Sequence, residues 1–360
     1  MSSSLLSFDL KNIRLSRWLT RGAPAEGGGP GLKVKYPPVA MEMEASQLSL
    51  ARLARDKQKR WHLTSHELVE VPPEVIESEV FRVRVKSPDR LRDIVAGAIQ
   101  KEGVKTTGIS LVLPDHVARV ALLPFEELPR TRREIIEMVR WKMKKAVPFK
   151  VEEASVDYQA MPGTAENPEK GFTLLAVLIP TLIVEEHEAA FTRQGIHPGL
   201  VDLSSFCLAQ LYRSVIEKDV SAGGDYMMLN ITGACFTVMI FRAGRLIFYR
   251  CKTFALGGEE NGNGGGDRLV RREIQSSLLY YQERLAGKGL ERVYMRLVGP
   301  DPEKTAEMFG GGPVHARPEP IDLGRVVGVS GRIAALGPDR SWQVTQRLAP
   351  AVGAVVGRES

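Results

Sequence analysis

Residues 39–54 read VAMEMEASQLSLARLA, and residues 226–250 read YMMLNITGACFTVMIFRAGRLIFYR. In the first stretch apolar residues alternate up to a small polar break at Ala45-Ser46-Gln47, which predicts a β-hairpin turning there. The second divides into MMLNI, CFTVMIF and LIFYR, with a turn at Arg242-Ala243-Gly244-Arg245, and predicts an antiparallel meander. A strand-turn-strand unit therefore opens each half of the chain, a loose two-fold echo without any repeat of 20–50 residues.

Outward from the first hairpin, more strand is expected around 63–71, ended by Pro72-Pro73, and a helix at 88–101 stopped by Gly103. Residues 108–123 read as two strands around Pro114-Asp115. A helix over 131–147 follows, opened by a capping box of Thr131 and Glu134 and stopped by Pro148. Ile135, Val139, Met143 and Ala146 share its apolar face. Strands at 155–161 and 171–179 and a helix at 182–194, with Thr181 as N-cap and Gly195 at its exit, complete a compact α+β unit over 108–194. Asp202 opens another helix, and SAGGD at 221–225 marks a boundary. Beyond the meander come a Gly/Asn-rich loop (256–267) and a long helix striped by Val270, Ile274, Leu278, Tyr281 and Leu285. A strand at 293–299, a helix at 302–309, a Pro/Gly-rich stretch to about 338 and a small-residue helix at 348–358 follow.

The 360 residues suffice for roughly two domains. With 43% hydrophobic and 26% charged residues, the composition is that of an ordinary globular chain, and no apolar run approaches the length of a membrane helix. The net charge of +6 is unevenly placed: residues 1–60 hold 11 Lys/Arg against 5 Asp/Glu, and residues 130–150 hold 8 against 2. Two local basic zones suit docking to an acidic partner or an anionic bilayer. With 7% aromatic residues, no interleaved stacking pattern and no helix-turn-helix, nucleic acid is not an expected partner. Cys207, Cys235 and Cys251 lack C-x-x-C spacing and read as reduced thiols. Residues 5–21 form an amphipathic basic segment, a candidate for peripheral contact with an anionic membrane. The linker GAPAEGGGPG (22–31) tethers it. Asp9, Lys11, Arg14 and Arg17 interrupt any signal-peptide core.

Candidate chemistry is sparse. His62 and His66 are four apart in strand-like sequence, where that spacing does not converge on a metal. The serines near Asp202 read as helix capping, and no G-x-S-x-G elbow exists. Glu126-Glu127 and Glu152-Glu153 read as solvated acids. On the helix 131–147, Arg132, Arg133, Arg140, Trp141, Lys144 and Lys145 form a candidate surface for acidic lipid or an acidic partner, against the plainer reading of a solvated basic face.

Several segments resemble the PilM family of type IV pilus assembly proteins. In ALLPFEELPRTRREIIEMVRWKMKKAVPFKVEEASVDYQAM (121–161), Pro124, Pro148, Glu152-Glu153 and Asp157-Tyr158 match family features in order. The segments QGIHPGLVDLSSFCLAQLYR (194–213), FYRCKTFALGG (248–258) and APAVGAVVGR (349–358) are similar to further ones, so the resemblance spans about 37–358. It implies an α/β, actin-like fold of two ribonuclease-H-like halves, with an inserted subdomain like that of PilM and its division relative FtsA. The implied division is a tail at 1–31, the first half of domain 1 at 32–107, the insertion at 108–194, a return to domain 1 at 195–224, domain 2 at 225–340, and a C-terminal helix at 341–360 packing back. It also implies a cytoplasmic scaffold of a pilus platform at the inner face of the inner membrane. Its partner would be the cytoplasmic N-terminal segment of a PilN-like membrane protein, received by strands near 108–123 and 171–179, with other platform subunits as further partners. The alternatives are an ATP-binding switch of the same fold and the cytoplasmic platform component of a type II secretion system.

The family's nucleotide loops are altered in this chain. Glu42 keeps the acid of the first loop, but Glu44 stands where a glycine would let backbone N–H groups approach phosphate, with Ser46 beyond it. Two unit charges at about 4 Å repel by about 4 kcal/mol at an effective dielectric near 20. In the second loop the acid is Asn230 and the glycine, Gly233, has moved one place. In the third, Gly299 is followed by Pro300, which lacks an N–H. The 256–267 loop replaces two helices of the lid subdomain. Glu42, Ser46, Asn230, Gly233 and Gly299 are thus candidate remnants of a nucleotide site. No cofactor and no hydrolysis are expected, with ATP and Mg²⁺ as the alternative.

Overall fold

A computed structural model describes residues 37–78, 83–163, 170–253 and 265–357. The expected tail at 1–31 and most of the 256–267 loop lie outside them. The elements run β1 (Val39–Met43), β2 (Gln47–Arg55), β3 (Trp61–Glu70), β4 (Ile76–Glu77), β5 (Arg84–Val85), α1 (Pro88–Lys101), β6 (Gly108–Leu113), β7 (Arg119–Phe125), α2 (Arg132–Met143), β8 (Ala154–Pro162), β9 (Phe172–Pro180), α3 (Thr181–Glu188), β10 (His197–Leu203) and α4 (Ser204–Asp219). The second half continues with β11 (Asp225–Ile231), β12 (Cys235–Arg242), β13 (Arg245–Thr253), α5 (Gly265–Arg284), β14 (Leu290–Leu297), α6 (Pro302–Glu307), β15 (Glu319–Pro320), α7 (Gly331–Ala334) and α8 (Pro338–Val356).

Two five-stranded sheets share one topology. The first has the order β10-β6-β1-β2-β3 and the second β13-β12-β11-β14-β15. In each, three consecutive strands pair antiparallel and two later ones add in parallel beside the first. Parallel addition needs a crossover, supplied by α1 in the first half and α5 in the second. The two-fold echo in the sequence is thus a duplicated sheet.

Side-chain parity orients the second sheet. Along β11 all seven residues are buried, so both faces are covered. Met227, Leu229 and Ile231 join Val270, Ile274 and Leu278 of α5 in one core. Tyr226 and Met228, one residue out of phase, join the core of the first half, as does Tyr294 of β14. Asn230 and Arg296 share that parity and therefore face the first half. The three-stranded sheet β7-β9-β8 divides the same way. Leu174, Ala176 and Leu178 pack with Ile135 and Val139 of α2, while Leu175 and Val177 join the main core.

Local signals account for most element ends. Thr131 Oγ1 accepts from the Glu134 N–H and Glu134 Oε2 from the Thr131 N–H, each at 3.3 Å, the expected capping box. That helix ends at Met143, a turn earlier than Pro148 suggested. The 182–194 helix is α3 to Glu188 followed by a 3₁₀ segment, Ala189–Gln194. Thr181 lies inside it and Pro180 takes the N-cap place. Asp202 belongs to β10, and the next helix starts at Ser204. The C-terminal helix begins at Pro338, because Pro338 fits a first helical turn that needs no N–H.

α8 lies against β1, β2 and β6 and also against α4. The α4–α8 approach is set by Gly353, since a methyl group there would overlap the Cys207 carbonyl oxygen. Gly353→Ala is expected to cost about 1–3 kcal/mol by overpacking. Gly97→Ala, in α1 with open space around it, is expected to gain about 0.5–1 kcal/mol. Urea denaturation of both variants checks the contrast.

Candidate functional site

Five strands running in parallel within their sheets end at one place, the junction of the two halves. In the first sheet β1, β6 and β10 run together, and in the second β11 and β14 do. Their carboxyl ends carry Glu42, Asp115, Ser204, Asn230 and Arg296. The outside of such strand ends is where open α/β sheets bind ligands.

Arg296 is the centre of this cluster, with its side chain 1% exposed. Its Nη2 donates to Glu42 Oε2 at 2.8 Å and its Nη1 to Glu42 Oε1 at 3.1 Å, a bidentate pair between the two halves. Nη1 also donates to Ser204 Oγ (3.0 Å) and Asn230 Oδ1 (3.2 Å), and Nε to the Gln346 carbonyl (2.8 Å). Ser204 Oγ donates to Glu42 Oε1 at 2.8 Å. Asn230 Nδ2 donates to Asp115 Oδ2 at 2.9 Å, and Asp115 Oδ1 accepts from the Ser205 N–H at 2.9 Å, at the positive end of α4. Gln346 on α8 closes the network by accepting from the Leu297 N–H and donating to the Ile321 carbonyl.

Carboxylates outnumber the central cation. Glu44 Oε1 lies 3.7 Å from Arg296 Nη1 and is buried without a hydrogen bond among the described residues. Burial pushes the Glu42 carboxyl up to about 8. Arg296 pulls against that shift, and the neighbouring Glu44 adds to it. Burial raises Glu44 too, against Arg296 and Arg347. Arg347 in turn donates to Gln47 Oε1 in β2.

Of the residues expected around a nucleotide, the structure brings Glu42 and Asn230 together and ties both to Arg296. Ser46, Gly233 and Gly299 are exposed turn positions beyond the same strand ends. Only Gly299, at φ 109°, needs its freedom from a side chain. Glu42, which keeps the acid of the first loop, already spends both oxygens on Arg296 and Ser204. Asn230 presents an amide donor to Asp115. This donor set does not fit a hydrated magnesium triphosphate. Between β13 and α5 only residues 254–264 intervene. Arg296, Ser204, Asp115 and Gln346 escaped the sequence reading. A signal for Arg296 existed: it is a lone cation inside the apolar run VYMRLVG, as Glu42 is a lone anion inside VAMEM.

A second feature is a cavity of about 490 Å³ beside the junction, lined by His116, Ala118–Val120 and Tyr249–Thr253. β7 and β13, which border it, are both edge strands. Cys251 lines it, and buried Cys235 lies next to Cys251, with its thiol pushed well up by that neighbour and by burial.

The family model described as type IV pilus assembly protein PilM matches residues 41–263. The chain belongs to this family. The solved PilM–PilN type IV pilus biogenesis complex has a chain of the same fold, with a TM-score of 0.70 at 16% identity over 89% of this chain and 98% of that one. A Bacteroides thetaiotaomicron protein with an actin-like ATPase fold aligns at TM-score 0.45 and 9% identity, covering 81% and 91% of the two chains. The cytoplasmic domain of EpsL, an inner membrane component of the Vibrio cholerae type II secretion system, aligns at 0.44 and 8%, covering 86% and 93%. The α/β, actin-like architecture expected from the resemblance is the observed one. No helix among the described residues is long and apolar enough to cross a membrane.

The Glu42 shift predicts a pH dependence. A carboxyl that binds its proton more tightly folded than unfolded stabilises fully below about 4.5 and loses that contribution as pH rises through about 8. His66 and His187 are shifted down by burial, so their opposite contribution is complete once pH passes 6.5. Between pH 6.5 and 8 the melting temperature is therefore expected to fall, and Glu42→Gln, which mimics the protonated carboxyl, is expected to flatten the fall. Arg296→Met, which strands the acceptors around it, is expected to cost about 3–5 kcal/mol. Thermal scans across this pH range check both.

Proposed function

We propose that this PilM-family protein is a scaffold at the cytoplasmic face of an inner-membrane pilus assembly platform, with its nucleotide cleft closed by its own side chains. The observation that carries this reading is the Arg296 guanidinium held between Glu42 and Asn230. It supplies at the junction a fixed positive charge, in the place where the resemblance puts a cation and phosphates. A triphosphate entering there would meet Glu44 and would have to displace a bidentate ion pair. On this reading the protein neither binds nor hydrolyses ATP.

The partner is the cytoplasmic N-terminal segment of a PilN-like membrane protein. Support comes from the match to a PilM of known complex and from an unpaired sheet edge. Among the described residues β7 pairs only with β9, and its other edge borders the 490 Å³ cavity with β13 opposite. An extended segment can add to such an edge through main-chain hydrogen bonds.

Two measurements test the reading. Isothermal titration with Mg-ATP is expected to give no binding heat, and micromolar affinity would make the protein a nucleotide switch instead. Hydrogen exchange with a synthetic N-terminal segment of the PilN-like protein is expected to protect the backbone amides of 118–123. Protection confined to another surface would move the groove.

A further inference from the structure

α2 covers one face of the β7-β9-β8 sheet with Ile135, Val139 and Met143. Arg133 and Trp141 lie on the opposite side, and the 3.6-residue spacing carried into the turn that follows Met143 adds Lys144 and Lys145 within the same arc of about 120°. All four are exposed, and Trp141 at 77% is the most exposed large apolar side chain described.

The six residues that the sequence marked as a surface divide into two groups. Arg132 donates to Asp157 Oδ1 at 2.8 Å, and Arg140 donates to Glu137 and to the Ala154 carbonyl. These two fasten the helix to its own sheet and strand 8. The intervening Lys142 does the same through the Pro124 carbonyl and the Phe125 ring. Arg133 and Lys145 have no carboxylate partner among the described residues, and Lys144 has only Glu152 at 3.8 Å, both well exposed. The outward group is therefore three available cations around one tryptophan.

We infer that this face of α2 rests on an anionic lipid surface, with Trp141 seated at the headgroup level and Arg133, Lys144 and Lys145 pairing with lipid phosphates. Two observations favour lipid over a protein partner. No other large exposed apolar residue lies on α2, whereas a protein hot spot needs an apolar surround that excludes water. A lone tryptophan among cations is instead the pattern of an interfacial anchor, since its ring suits the headgroup layer and each cation adds attraction to acidic lipid. This inference stands apart from the proposed partner segment and from the state of the nucleotide cleft.

The test uses the full chain with vesicles of phosphatidylcholine, with and without phosphatidylglycerol. Sedimentation with the anionic vesicles is expected in about 0.1 M salt, with release as salt rises. The triple variant R133Q/K144Q/K145Q is expected to partition on the order of 100-fold less, about five-fold per charge removed. Brominated acyl chains are expected to quench tryptophan emission in the wild type and measurably less in Trp141→Phe, which separates this face from Trp18 in the basic N-terminal segment. Every substituted side chain is exposed, so unchanged melting temperatures confirm folding. Failure to bind anionic vesicles overturns the inference. So does binding that both variants leave unaltered, because that assigns the contact to another surface.

Discussion

A guanidinium buried between two sheets is the constraint on which the junction depends. Arg296 comes from the second half and its principal acceptor, Glu42, from the first, so neither can be satisfied unless the halves meet in one register. Burying such a pair adds little net stability relative to apolar packing, because both groups lose their hydration. What it adds is discrimination: a shifted arrangement leaves a naked charge on each side. Ser204, Asn230 and the Gln346 carbonyl each take one more donor from Arg296, so the penalty for misalignment is spread over α4, β11 and α8 together.

The duplicated topology explains why the pair forms where it does. Each half places the carboxyl ends of its parallel strands at the junction, and each half's central strand is buried on both faces. A polar residue near the end of such a strand has water on neither face and must find a partner across the junction. Glu42 and Asn230 stand next to last in their strands, and so does Arg296. On the reading proposed above, this is the space that a nucleotide would need. Three side chains meet in it, and Asp115, Ser204 and the Gln346 carbonyl supply further hydrogen bonds.

The elements were legible where the signal is local. Thr131 and Glu134 make a capping box whatever surrounds them, and a hairpin turns at the small polar break where the apolar pattern of its first arm stops. Gly103 and Gly195 end their segments in the left-handed conformation their position called for. The 3₁₀ continuation after Glu188 follows from what that segment lies against, whereas the start of α8 at Pro338 is a local signal that the small-residue run further along obscures. The site was half legible. Glu42 and Asn230 stood out against a family pattern, but Arg296 lies 254 residues from Glu42 along the chain, and only the parity of β14 shows that it faces inward. Asp115 and Ser204 read as turn and cap, but Ser204 caps no helix: Leu203 takes the N-cap place without a side-chain bond, and the Ser204 hydroxyl joins Asp115 in the network.

A ligand can shift a two-state hinge only by its difference in affinity for the two states. In an actin-like protein whose cleft admits nucleotide, that difference is available to the cell as a variable. When the cation between the halves is part of the chain, the term is constant and the angle between the halves no longer reports on nucleotide. A platform component that must present one surface continuously benefits from that constancy. On the reading proposed above, the loss of the cleft and the retention of the fold are two aspects of one design, in which the ligand's former role in joining the halves has passed to a side chain.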